Sequence, residues 1–249
     1  TGAQREEHRD REDGESHARS TEEKKDRWAT PNASSAGAVT TTAAASLTTG
    51  QALGGLAGEA RERALGLMVV LIGAFQVNTW VVFGALGERA DEARASAACF
   101  LERAAASRVL VEGFEDSFFP YHGERIKRRF EELKLEVSPQ LVLTHAREDA
   151  HQDHRLICEL TWNTFRNHLV LEYEVPKWDG DMGRPNVFVP LEEPVAERKL
   201  DLLLQCFPTQ AGRPWFTRDL FRGLLRLRGM ECVSASGLAE AFYGRKLVL

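Results

Sequence analysis

Apolar residues along this chain fall into short unbroken runs, separated by longer stretches in which they recur every three or four positions. The runs are Leu67–Ala74, Thr79–Ala85, Arg108–Phe114, Leu141–His145, Leu169–Val175 and Val187–Val189. Their length and their content of Val, Ile, Leu and Phe predict strands buried on both faces, as in a parallel sheet. The stretches with helical spacing are Gly87–Ala105, Glu124–Glu136, Ala150–Arg166, Glu193–Gln205 and Arg218–Leu227. Strand and helix alternate from Leu65 onward, which predicts a layered α/β domain with a mostly parallel sheet. Pro139, Pro176, Pro190 and Pro208 fall at the predicted boundaries, where a missing N–H costs least.

One interval breaks the order. Only Phe75-Gln76-Val77-Asn78 separates the first two runs, whereas adjacent parallel strands need a crossover of about a dozen residues or more. The interval has no Asn-Gly or Asp-Gly signal for a tight hairpin either. Read for charge alone, Ala64–Gly87 is an uncharged segment of 24 residues, long enough for a transmembrane helix. Gln76, Asn78 and Thr79 at its centre, and its β-branched content, favour a sheet from which the first crossover is missing.

Composition changes the picture at the start of the chain. Residues 1–30 carry nine Asp/Glu and seven Lys/Arg, with Trp28 the one large apolar side chain, and 22 of the next 30 residues are Ala, Gly, Ser or Thr. Neither stretch has the apolar surface to offset the entropy of ordering its backbone. Residues 1–60 therefore read as a disordered tail, and residues 61–249 as a single domain. Thr1 stands where an initiator Met is expected, which leaves room for a start further upstream. The net charge of −5 argues against a nucleic-acid partner, which favours a basic face. Asn32-Ala33-Ser34 fits the glycosylation pattern, but no secretory signal precedes it. Cys99, Cys158, Cys206 and Cys232 are widely spaced with no C-x-x-C pair, so a cysteine zinc site and a disulfide framework are not expected. A reducing cytoplasm fits these thiols.

Two of the seven histidines fall in one short motif, His151-Gln152-Asp153-His154. Three positions apart on a predicted helix, both rings project from one face. Asp149 precedes them and Asp153 lies between them. Imidazole and carboxylate are zinc's ligand types, and ligand histidines commonly pair with a second carboxylate. The preceding strand, Leu141–His145, ends where open α/β sheets bind ligands. The same residues also read as a polar helix start with Asp149 as its cap.

Val142-Leu143-Thr144-His145 followed by His151-Gln152-Asp153-His154-Arg155 resembles the second signature of the PIG-L/LmbE-like deacetylases. The likeness continues through Leu171–Pro176, Pro185–Leu191, Arg198-Lys199, Thr209-Gln210, Arg228-Gly229 and Ala239–Phe242, from about Trp80 to Leu249. It implies a Rossmann-like three-layer α/β fold and hydrolysis of a small N-acetylated substrate, often an N-acetylglucosamine-type sugar conjugate. In that family a divalent metal, usually zinc, is held by three side chains, polarises the acetyl carbonyl and activates water. By position, His154 matches a metal ligand. His151 matches the histidine that stabilises the oxyanion or protonates the leaving amine, and Asp153 the carboxylate that holds a neighbouring imidazole. Arg155, Glu174, Glu240 and Asp149 match positions of substrate-binding or supporting residues.

The family's first signature, a His-Pro-Asp-Asp-type loop after the first strand, supplies the other two metal ligands and the general base. Here Val69-Val70-Leu71-Ile72-Gly73-Ala74 reads as that strand, and Phe75 stands where the histidine belongs. The crossover missing by strand spacing and the missing motif are one gap. No aspartate lies between Trp28 and Asp91 to replace the base, and Asp116, His122, His145 and Asp149 are the residues left to complete a site. The expectation is an N-deacetylase domain with zinc weakly bound or absent. The competing expectations are a non-catalytic binding domain and a membrane-anchored protein using Ala64–Gly87.

Overall fold

The computed structural model describes residues 39–43 and 77–247. The elements are β1 (Val39–Ala43), β2 (Val77–Val82), α1 (Glu88–Phe100), β3 (Ala106–Val111), α2 (Gly123–Glu136), β4 (Leu141–His145), α3 (Gln152–Thr164), β5 (Leu169–Tyr173), β6 (Val187–Pro190), α4 (Glu193–Cys206), α5 (Arg218–Glu231) and β7 (Ala239–Gly244). Two short 3₁₀ turns, Phe119–His122 and Pro208–Gln210, precede α2 and follow α4. The strands form one sheet in the order β3-β2-β1-β4-β5-β7-β6.

The α/β class is the one the sequence predicts, and the pairing within the sheet is mixed. β2 with β3 and β4 with β5 are parallel, joined through α1 and α3 as the alternation requires. β1 is antiparallel to both β2 and β4, and β7 to both β5 and β6. Five of the seven strands thus share one direction, as the expectation of a mostly parallel sheet has it, and β1 and β7 run against them. Val39–Ala43 lies inside the stretch read as a disordered tail, yet it is an interior strand, third in the order of the sheet. Val-Thr-Thr-Thr is β-prone, a signal that the surrounding Ala, Gly and Ser conceal. The strand expected at Leu67–Ala74 and the rest of residues 1–60 lie outside the described residues. Of the uncharged segment Ala64–Gly87, Val77–Val82 is a strand, and no helix among the described residues is long and apolar enough to cross a membrane.

Alternation along β2 shows how the layers form, because successive side chains point to opposite faces. Val81 and Phe83 enter a core with Phe130 of α2 and Ile157 of α3, Phe83 stacking on Phe130 at 4.9 Å. Trp80 and Val82 enter the opposite core with Ala97 and Phe100 of α1 and Leu202 and Cys206 of α4. Covered on both faces, the sheet needs the apolar runs seen in its sequence. Each fully buried Phe or Leu contributes about 1.5–3 kcal/mol relative to exposure. A third cluster, Leu191, Val195, Leu200, Leu225 and Leu238, ties α4 and α5 to the β6–β7 end.

Candidate active site

β4 is buried along its whole length and ends at His145. After a turn the chain enters α3, whose N-cap is His151 rather than a residue within the helix. The His151 Nδ1 accepts from the Asp153 backbone N–H at 3.3 Å, and Asp149 accepts from the His151 N–H at 2.8 Å. A turn later His154 projects toward the same place, the two rings 4.7 Å apart. His154 Nδ1 lies 2.9 Å from the second oxygen of Asp149. The His154 Nε2 is buried and has no hydrogen-bond partner. His145 stacks on His154 at 3.9 Å and bonds the Tyr173 hydroxyl through Nε2 at 3.2 Å. Lys177 Nζ lies 3.1 Å from Asp149 and also pairs with Asp181, which accepts from the Ala150 N–H at 2.6 Å.

These bonds give the two motif histidines opposite characters. His154 faces a carboxylate through Nδ1, so as a neutral ring it carries its proton there and leaves the Nε2 lone pair open. His151 accepts at Nδ1, so as a neutral ring it carries its proton on Nε2 and is a donor. A ligand histidine whose other nitrogen is fixed by a carboxylate is a common arrangement at zinc, and His154 fits it.

The Asp153 carboxylate hydrogen-bonds neither ring. It accepts from the Ser117 N–H at 2.6 Å and the Phe119 N–H at 3.1 Å. Its side chain therefore pins the loop after β3, and the expected bond from this carboxylate to an imidazole is not formed. The pinned loop brings Asp116 to the motif. Donor atoms of Asp116, His151 and Asp153 lie within 4.8 Å of one another, close enough to hold a metal ion. Asp116 is the open carboxylate of this group, since both Asp153 oxygens already accept from backbone.

Burial dominates the electrostatics. It lowers His145 well below its ordinary value, and the neighbouring His154 lowers it further. Burial and then His154 bring His151 down to about 4. Asp116 is raised to about 6 by burial and by the adjacent Asp153. Burial also raises Asp153, against its two backbone bonds. Asp149 goes the other way. Burial pushes it up, but the hydrogen bond and charge of His154, the His151 N–H and Lys177 together hold it well below the usual carboxylate range.

A model of the PIG-L family, described as GlcNAc-PI de-N-acetylase, matches residues 38–165, more than half of the chain. The chain belongs to the PIG-L family. The match takes in β1 and the whole His151–His154 motif and ends at α3. No curated protein matches the chain. Among solved structures it is similar to the conserved protein TT1542 from Thermus thermophilus, at 15% identity and a TM-score of 0.54 over 74% of this chain and 90% of that one. GalB, the 4-carboxy-2-hydroxymuconate hydratase from Pseudomonas putida, is similar at 18% identity and a TM-score of 0.53, over 69% of this chain and 85% of GalB. The N,N'-diacetylchitobiose deacetylase from Pyrococcus horikoshii is similar at 16% identity and a TM-score of 0.50, over 79% and 92%. At these identities the likeness is one of fold.

The other residues expected from the resemblance divide by environment. Arg155 is exposed and donates to the carbonyls of Asp149 and Ala150, bracing the turn before α3. Glu174 is tied to Arg228 at 2.8 Å, the Tyr243 hydroxyl at 3.1 Å and the Gly183 N–H. Glu240 pairs with Lys199, and its Oε2 is buried without a partner. The bonds of both glutamates thus go to side chains and backbone away from the motif. Of the four residues left to complete a site, Asp149 and His145 pack on His154, Asp116 approaches His151, and His122 lies beside Phe114. Lys177 and Asp181 are missed by sequence reasoning, having no motif of their own.

Proposed function

We propose that this chain is an N-deacetylase-type hydrolase acting on the N-acetyl amide of a small sugar conjugate, with His154 as a zinc ligand and a weakened metal site. The observation that carries the reading is the bare, buried Nε2 of His154, backed by Asp149 on its other nitrogen. A buried polar atom left unpaired costs about 1–3 kcal/mol, and a cation removes that cost. When bound, the metal supplies Lewis acidity toward the acetyl carbonyl and water. His151 carries its Nε2 proton toward the same space and hydrogen-bonds the oxygen on which negative charge develops. Asp149 holds His154 in its ligand tautomer, and Asp153 holds the loop that presents Asp116. Asp116 is the carboxylate nearest to the task of the absent first signature.

Catalytic zinc takes three protein ligands, and the group whose donor atoms approach one another, Asp116, His151 and Asp153, does not include His154. The site is accordingly expected to bind zinc below one equivalent and to release acetate from N-acetylglucosamine derivatives near background, a missing general base alone costing about 10²–10⁴-fold. Metal analysis of the purified chain and an acetate-release assay test this together. Grafting a His-Pro-Asp-Asp loop with its helix between Ala74 and Gln76 is expected to raise both, and His154→Ala in the graft to abolish both. Stoichiometric zinc with full metal-dependent turnover in the chain as it stands would show that the site is complete. A graft that binds zinc yet hydrolyses no N-acetyl amide favours a binding domain instead.

A further inference from the structure

α4 divides its packing between two places. Its first turns, from Val195 to Leu200, join the β6–β7 end, whereas Leu202, Leu203 and Cys206 share a cluster with Ala97 and Phe100 of α1. Polar ties secure this second contact on either side in sequence. The Glu92 carboxylate accepts from the Thr209 N–H at 2.8 Å and from the Thr209 hydroxyl at 2.6 Å. Arg198 pairs with Glu102 just after α1. Between these ties α1 contributes Cys99 and α4 contributes Cys206, both in the same apolar cluster.

Both thiols are free, Cys206 buried and Cys99 half-buried. The Cys206 side chain lies within hydrogen-bonding reach of Cys99. Burial, and then this neighbour, push the Cys206 thiol up to about 11, so it rests protonated near neutral pH. The other two cysteines have oxygen partners instead. Cys158 is fully buried beside Glu172, and Cys232 donates to the Gly229 carbonyl at 3.7 Å. Cys99 and Cys206 thus stand apart as two thiols side by side, the outer one open to solvent and the inner one behind it. In such a pair the outer sulfur meets an oxidant and the inner one resolves the product. Nothing in the sequence marks the pair, because the two positions lie roughly 100 residues apart and only the packing of α4 on α1 joins them.

We propose that Cys99 and Cys206 form a reversible disulfide that staples α1 to α4. The oxidant is a low-molecular-weight disulfide of the glutathione class. The Cys99 thiolate attacks one of its sulfurs, giving a mixed disulfide and releasing one small thiolate. The Cys206 thiolate then attacks the Cys99 sulfur, forms the Cys99–Cys206 bond and expels the second small thiolate. Two protein thiols give up two protons and two electrons, and the small disulfide becomes two thiols. Closing so long a loop restricts the unfolded chain strongly. The bond also joins two helices that line one cavity of about 260 Å³, through Ser96 and Phe100 of α1 and Leu203 of α4. Their separation along that wall is then fixed in the oxidised chain.

The test places the full chain in glutathione buffers of graded oxidised-to-reduced ratio at about pH 8.5, near the ordinary value of a thiol. Acid quenching, alkylation and peptide mapping by mass spectrometry read the result. At the oxidising end a single cross-link within the chain, between the Cys99 and Cys206 peptides, is expected, and dithiothreitol removes it. The oxidised chain is expected to melt about 5–15 °C above the reduced one. Cys206→Ser is expected to stop at a glutathione adduct on Cys99, with no such rise. The wild-type chain decides the matter even where that variant folds poorly. Adducts without a cross-link, a cross-link through Cys158 or Cys232, or no reaction across the whole range of ratios overturns the proposal. A Cys99–Cys206 bond that leaves the melting temperature unchanged or lower also overturns it, because such a bond strains the fold instead of stapling it.

Discussion

At the scale of single residues, the site is a set of groups whose proton affinities differ from those they have in water. Asp116 is the clearest case, because its carboxyl is raised from 3.8 to about 6 by burial and by Asp153. The folded chain therefore retains a proton that the unfolded chain has lost between those two values. Stability from this group is highest below about 4, declines as the pH rises through 6, and stays reduced above it. Asp116→Asn removes the charge and is expected to stabilise the fold at pH 7.5 by about 1–2 kcal/mol, allowing for its partial exposure. The gain should vanish at pH 4. Urea denaturation of both chains at the two values measures it, and an equal effect at both would show that Asp116 is not held against its charge. A residue kept at such a cost to stability is characteristic of sites where function sets the environment.

The same scale shows what can be read from residues alone. His151 and His154 are legible because three positions on a helix put two rings on one face, and the structure brings them together. Their different hydrogen bonding is not legible. It depends on Asp149 reaching His154 while the Asp153 N–H reaches His151, and the pattern His-x-x-His contains neither fact. Asp153 is expected beside an imidazole, but two backbone N–H groups of a distant loop compete for its oxygens and win. Asp116 owes its place to that bond. No spacing along the sequence could reveal a contact between positions 117 and 153.

Among the elements, α2, α4 and β4 agree with the apolar pattern to within a residue or two, because long periodic segments carry their own burial signal. β7 is not among the strands that the pattern predicts. Ala239-Glu240-Ala241-Phe242 has small and charged residues where a run of branched side chains would be diagnostic, and it pairs only because β5 and β6 flank it. α5 is fixed against this strand by close backbone approach. A Cβ added at Gly229 would lie 2.3 Å from the carbonyl of Gly237 and 2.4 Å from the Leu238 nitrogen. Backbone cannot yield as a flexible side chain does, so Gly229→Ala is expected to destabilise by about 2–3 kcal/mol or more through overpacking. Thermal unfolding checks this, with Gly223→Ala in the same helix as the comparison, since nothing lies within 4 Å of a Cβ there. Gly223→Ala should be neutral or stabilising by up to about 1 kcal/mol. Equal effects at the two glycines would refute the close approach.

For the molecule as a whole, the position of β1 matters most. Its registers with β2 and β4, such as Thr41 opposite Trp80 and opposite Leu143, join two parallel units that share no other ladder among the described residues. A chain that begins after Ala43 lacks this strand and leaves two unpaired edges in the middle of the sheet. Loss of cooperative urea unfolding is the expected outcome, whereas a chain beginning at Ser35 should retain it. Native-like unfolding of the shorter chain would mean that another segment takes the central place. Composition carries no warning of this role, because a few β-prone residues in a background of small ones have too little apolar surface to register.

That central strand also has a consequence in time. β2-α1-β3 and β4-α3-β5 are local assemblies that can form from neighbouring residues, yet neither joins the other until β1 arrives between them. Closing contacts as distant as Thr41 and Leu143 is slow, so assembly should run as two early halves followed by one late docking step. Pulsed hydrogen exchange during refolding should show β2 and β4 amides facing β1 becoming protected together, after those facing β3 and β5. Until then each half carries a bare strand edge, a template for pairing with another chain. Crowded or rapid expression should therefore favour aggregates whose yield rises steeply with protein concentration, and slower synthesis should favour the folded chain.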